Sequence, residues 1–176
     1  MGTTPQQPSE TLHPLLRGLK PAWLAVVGRC SVQSHFAEGS TLFDAGSSAT
    51  RIYLLQRGIV AVELEMQDRI AQVAMLGAGD LLACPCMSKA RVWQYGARAF
   101  SPVTAQSILL SRLKSSCDAD PEFGLEISRR LLCTVTAQLE ATRRQVAEVS
   151  QVALDSQRLA LEHFGLASSG LFPRAA

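Results

Sequence analysis

The chain is 176 residues long, 47% hydrophobic, and sets 17 Lys and Arg against 15 Asp and Glu for a net charge of +2. That length holds one domain with appendages, and that apolar content builds a core, which excludes a disordered polar chain. No stretch gathers the basic residues that bulk electrostatic binding to nucleic acid requires, so direct DNA binding is not expected.

Residues 1–11 read as a disordered N-terminal tail, polar and broken by Pro5 and Pro8. It lacks the basic start and apolar stretch of a secretory signal. After Met1-Gly2, Gln6 stands where a myristoylation signal has Ser or Thr. No apolar run approaches a membrane span, and the expected location is the cytoplasm. Leu12, Leu15, Leu16 and Leu19 recur at helical spacing, and Pro21 opens a second helix through Gly28.

From Cys30 to Leu113 the pattern changes. Gly39, Gly46, Gly58, Gly77 and Gly79 punctuate short apolar segments. Strands are predicted at 34–36, 41–43, 52–55, 59–64, 70–75, 95–100 and 104–111. In the fourth, Val60, Val62 and Leu64 alternate with Ala61, Glu63 and Glu65, the period of a half-buried strand. Short strands with frequent turn signals indicate a roll or sandwich.

Asp120-Pro121-Glu122 is a helix start, with a capping acid, Pro in the first position and an acid in the first turn. Leu125, Leu132, Val135, Leu139, Val146, Val149 and Ala153 then recur at steps of seven, three and four, with Ser128 and Thr142 completing the series. This seam covers about four heptads, long enough to favour a coiled coil. Running to Gly165, the helix would be roughly 60 Å long and would overhang a small roll, so a second copy is the expected partner for its apolar stripe. Four segments result: the tail 1–11, a roll with its N-terminal helices over 12–119, a dimerisation helix over 120–165, and a flexible tail over 166–176. The composition of Ser169–Ala176 favours a chain complete at full length.

In order, these elements resemble the cyclic-nucleotide-binding domain of the Crp/Fnr superfamily over about Leu12–Ser150. The resemblance rests on Phe36-Ala-Glu-Gly39, Leu42-Phe-Asp-Ala-Gly46, Ile52-Tyr-Leu-Leu-Gln-Arg-Gly58 and Leu76-Gly-Ala-Gly79-Asp80-Leu-Leu82. Ala97-Arg98-Ala99 and Asp120-Pro121 with the long helix after them complete it. It implies an α+β, mainly β fold: an eight-stranded, jelly-roll-like β-roll flanked by short N-terminal helices and a long C-terminal dimerisation helix. It is closest to stand-alone bacterial members that carry the sensor half without a helix-turn-helix. About two dozen residues follow Val149, too few for such a domain with its own core.

The resemblance also implies a cyclic-nucleotide pocket, with a phosphate cassette between Gly79 and Ala99. The candidate ligand-binding residues are Gly79, Leu82, Ala83, Cys84, Arg91, Trp93, Gln94 and Arg98. Where the family has Gly-Glu, this chain has Ala83-Cys84, and Pro85 removes a backbone N–H. Where the family has Arg followed by Ser or Thr, it has Trp93-Gln94, with Arg91 displaced by two residues. Losing two charge-assisted partners, at about 1.5–3 kcal/mol each, weakens binding by roughly 10²–10⁴-fold. A family-typical affinity for cyclic AMP or cyclic GMP is therefore not expected, and a cyclic nucleotide or other small anion remains a candidate ligand. Trp93 and Tyr95 share a face and either stack on a planar ligand or plug the site. Arg98 either reaches the pocket or faces solvent and an acid.

Other constellations are weak. Cys84-Pro85-Cys86 reads first as two small buried residues and second as a redox or metal-sensing pair. His35 has no evident partner as a haem ligand. No metal site and no catalytic constellation is expected. The expected function is a non-enzymatic, homodimeric small-molecule sensor with a degenerate cassette and an unidentified protein partner. The alternative is a ligand-free interaction module, with a haem or thiol redox sensor behind both.

Overall fold

The computed structural model describes residues 12–66, 69–82 and 92–163. The chain forms two units, one running through Val135 and the other starting at Thr136. A 3-10 turn, Pro14–Leu16, precedes helix α1 (Pro21–Cys30). Eight strands follow: β1 Ser31–Phe36, β2 Thr41–Phe43, β3 Arg51–Arg57, β4 Val60–Met66, β5 Arg69–Leu76, β6 Leu81–Leu82, β7 Gly96–Ala99 and β8 Val103–Leu109. Helix α2 (Leu110–Ala119) and helix α3 (Pro121–His163) complete the order.

The strands make two antiparallel four-stranded sheets, β1-β8-β3-β6 and β2-β7-β4-β5. This is the predicted α+β roll. One core fills the space between the sheets, with Phe43, Tyr53, Leu55, Val60, Leu82 and Trp93 among its members. A second lies on the other side of the first sheet. There Ile52, Leu54 and Ile108 meet Leu16 of the 3-10 turn, Val27 of α1 and Phe123 of α3. Strand β3 therefore buries both its faces, which is why Ile52-Tyr53-Leu54-Leu55 is a continuous apolar run rather than an alternating one.

Three local expectations change. The strand predicted over 104–111 ends at Leu109, and Leu110 begins α2, its N–H donating to Thr50 O at 3.0 Å. Leu110, Leu113 and Cys117 have helical spacing, but Leu110 also continues the strand's apolar run, so the boundary is hidden. Strand β6, two residues long, is too short to show a period. Leu64 does not join Val60 and Val62 in the core. Pairing of β4 with β7 stops at Glu63, and beyond it only β5 accompanies β4.

The start of α3 is tied down in two places. Asp120 caps it, Oδ1 accepting from Phe123 N–H at 3.1 Å, while Oδ2 accepts from the Trp23 indole at 3.0 Å. These bonds hold the Asp120 carboxyl below its ordinary pKa. Nearly three turns on from Asp120, Arg130 donates to the carbonyls of Leu15 and Arg17. Glu126 accepts from Arg129 and Arg130, which draws its pKa down to about 2. Phe123 and Ile127 face the roll, at 1% and 3% exposure. Of the predicted seam, Leu125, Leu132, Val135 and Leu139 are 73%, 68%, 46% and 48% exposed, while the side chains of Val146, Val149 and Ala153 lie outside the described ones.

Gly58, between β3 and β4, has φ +83°, and a Cβ there would stand 2.2 Å from the Pro102 carbonyl oxygen. Gly58→Ala is expected to destabilise the fold by about 1–3 kcal/mol from the backbone conformation alone, and further from displacing that carbonyl. Urea unfolding monitored by tryptophan fluorescence checks this; an unchanged midpoint contradicts it.

Candidate functional site

The turn between β5 and β6 opens the predicted cassette, and backbone bonds define it. Gly79 has φ +95° and donates its N–H to Leu55 O at 2.8 Å, while Leu55 N–H donates to Asp80 O at 3.0 Å. The Asp80 carboxylate accepts from Gly77 N–H at 2.8 Å, closing the turn. Asp80 thus shapes the turn, as its sequence context suggests. The turn delivers Leu81 and Leu82 to β6, opposite Leu54 and Tyr53. Leu82 is fully buried between the sheets.

Of the candidate residues, Ala83, Cys84 and Arg91 lie outside the described residues, as does Cys86. The chain is described again from Val92, which bridges to Ser48. Trp93 N–H donates to Ser47 O at 2.9 Å, and Gly46 N–H donates to Trp93 O at 2.8 Å. These bonds turn the Trp93 side chain inward, where it is 2% exposed. Its ring stacks on Phe43 at 3.6 Å between centroids with planes 9° apart. Tyr95 and Tyr53 lie 5.7 and 6.4 Å from it. Trp93 and Tyr95 do share one cluster, and that cluster is core. Burial raises the Tyr53 phenol above its usual pKa. Gln94 follows on the surface.

Arg98 takes the solvent-and-acid alternative. In β7 the side chains of Ala97 and Ala99 point into the core, so Arg98 between them faces out. Its Nε donates to Glu63 Oε1 at 3.2 Å and Nη1 to Gly39 O at 3.1 Å, with 43% of the side chain exposed. These two, with Gln72 and Phe100, border a groove of about 310 Å³ on the outer face of the second sheet. His35 is exposed and meets Thr104 Oγ1 at 3.2 Å. Among the described residues no three His, Cys, Asp or Glu side chains group to hold a metal, and no helix is long and apolar enough to cross a membrane.

Sequence reasoning missed one residue at this turn. His13 is buried, its Nδ1 accepting from Leu15 N–H at 3.2 Å. Nε2 must then carry the proton, and it donates to Asp80 O at 3.1 Å. The imidazole thus joins the N-terminal turn to the turn that opens the cassette. Its only sequence signal was a place beside the apolar Leu12, Leu15, Leu16 and Leu19.

This is the fold of cyclic-nucleotide-binding domains. The chain is similar to the cyclic nucleotide-binding domain from Methylobacillus flagellatus KT, with a TM-score of 0.67 and 17% identity over 74% of either chain. It is also similar to the N-terminal domain of a transcriptional regulator from Streptomyces coelicolor A3(2), with a TM-score of 0.59 and 20% identity over 73% of this chain and 92% of that one. Against the Thermus thermophilus catabolite activator protein the TM-score is 0.60 and the identity 17%, over 78% of this chain and 63% of that one. No protein-family model and no curated protein sequence matches the chain.

Desolvation dominates at His13 and lowers its pKa below 6.5, against the weaker pull of the Asp80 carbonyl and carboxylate. The folded state therefore prefers neutral His13. Its stabilising effect is complete above the unfolded-state pKa and declines as pH falls from about 6.5 toward the folded value. Unfolding free energy measured against pH is expected to slope downward through that window, and the slope to flatten in His13→Gln. An identical slope in the variant would assign the pH dependence elsewhere.

Proposed function

We propose that the chain is a non-enzymatic regulatory module built on the cyclic-nucleotide-binding fold, acting as a homodimer assembled along α3. The observation that carries this reading is the exposed seam of Leu125, Leu132, Val135 and Leu139. At about 100° per residue, Phe123 and Ile127 lie on the opposite side of the helix and already engage the roll. The seam has heptad spacing, which a second copy matches about a two-fold axis. Each leucine so buried contributes ~1.5–3 kcal/mol relative to exposure, before the entropy of association. A protein is the candidate partner of the dimer, since no stretch of the sequence gathers the basic residues that nucleic acid would need.

The interior supports a module that works without a nucleotide in the family's usual manner. Trp93 lies against Phe43 within the core, in the stretch where the family's arginine would stand. A second reading is a sensor, in which a cyclic nucleotide or other small anion enters the roll and shifts α3. It is favoured by the fold shared with a solved domain named for cyclic nucleotide binding. It requires a ligand with unequal affinity for two states.

Size-exclusion chromatography with light scattering is expected to give a dimer. Leu125→Glu with Leu132→Glu is expected to give a monomer with an unchanged near-ultraviolet spectrum, because both side chains are solvent-exposed in the single chain. A monomeric wild-type chain at micromolar concentration would sink the proposal.

A thermal-shift series with cyclic AMP, cyclic GMP and cyclic dinucleotides separates the two readings. A ligand at 100 times its Kd stabilises by about 2.7 kcal/mol, which moves the melting temperature by several degrees. No shift is expected from any of the three. A saturable, concentration-dependent shift with one of them would decide for the sensor.

A further inference from the structure

A groove of about 350 Å³ lies between the end of α1 and the start of α2, lined by Arg29, Cys30, Ser111, Arg112, Ser115 and Ser116. It shares no residue with the interior of the roll. Arg29 and Arg112 are among its lining residues, and no Asp or Glu is among them. Arg112 Nη1 donates to Arg29 O at 3.4 Å, which joins the start of α2 to the end of α1. The ion pairs among the described residues engage Lys20, Arg98, Lys114, Arg129 and Arg130, and neither Arg29 nor Arg112. Asp118, the acid of α2, is held by Lys114 at 2.8 Å.

The serine hydroxyls are engaged locally, and the backbone at the start of α2 adds donors. Ser115 O–H reaches back to Ser111 O at 3.1 Å, and Ser116 Oγ lies 3.7 Å from Cys30 Sγ. Ser111 and Arg112 sit in the first turn of α2, whose N-cap, Leu109, has no side chain able to accept from it. That end of the helix carries partial positive charge without a capping oxygen. Two guanidinium forks beside an uncapped helix end provide more donors than a carboxylate accepts, and they suit a tetrahedral dianion. The volume exceeds that of the anion, which leaves room for an organic group.

We propose that this groove binds the phosphate group of a small phosphate monoester. The assignment is independent of whether the roll takes a ligand. The test is an amide NMR titration of the full chain at constant ionic strength, with glycerol phosphate and inorganic phosphate as probes and chloride as the reference anion. Saturable shifts confined to α2 and the end of α1 are expected, with glycerol phosphate tighter than inorganic phosphate. Arg29→Gln and Arg112→Gln are each expected to weaken binding by about 10-fold or more, with the spectrum elsewhere unchanged. Arg57→Gln, remote from the groove, should leave binding as it was. Linear drift matching chloride, saturation that survives both groove variants, or equal loss in Arg57→Gln would overturn the site. Inorganic phosphate binding as tightly as the ester would overturn the ester assignment. A phosphoserine peptide binding more tightly than glycerol phosphate would do the same, in favour of a protein ligand.

Discussion

Strand β3 is the constraint on which the first unit depends. Tyr53 and Leu55 point between the sheets while Ile52 and Leu54 point toward the helices, and all four are buried. Two cores therefore share one strand. Leu55 also holds the turn at Gly79 and Asp80 through both its backbone groups. A displacement of Tyr53 or Leu82 inside the roll is one backbone's thickness from Ile52 and Leu54, which touch the same cluster as Phe123. Packed interiors deform little and transmit displacement, so the interior and the root of α3 are mechanically neighbours.

The root of α3 is fixed by polar contacts that sequence neighbours cannot provide. Asp120 joins the helix start to Trp23 of α1, and Arg130 grips the carbonyls of the N-terminal turn. His13 grips the other side of that turn, at Asp80. The N-terminal turn is thus a bridge between α3 and the segment that leads into β6. Such an arrangement holds one face of the helix in register and leaves the opposite, apolar face uncovered. That division fits a helix with two tasks, one toward its own roll and one toward a partner.

Much of this was legible in residues and spacing. The glycines between apolar segments marked the turns, and Asp120-Pro121 marked the start of α3 to the residue. Legibility ended where two periods overlap or where tertiary contact decides. Leu110 serves strand and helix alike, so the predicted strand runs two residues into α2. The inward turn of Trp93 depends on bonds to Ser47 and Gly46, nearly fifty residues away, and no local pattern encodes them. The outward face of Arg98 follows from the alanines on either side, a signal that was present but balanced by the family's expectation. His13 gives no signal in the sequence because its partner is a backbone carbonyl, that of Asp80, which any residue could supply.

The aromatic interior bears on how the roll holds its fold. A nucleotide in that space would bury its base against the sheets and contribute to stability by mass action. Trp93, stacked on Phe43 and flanked by Tyr53 and Tyr95, fills the interior from within the chain. Removing a buried aromatic of this size costs about 3–5 kcal/mol. A ligand that expelled Trp93 would have to offset that much before gaining any affinity, a handicap of roughly 10²–10⁴-fold. Trp93 closes the core from within the chain, so the aromatic packing of the roll is made by its own side chains.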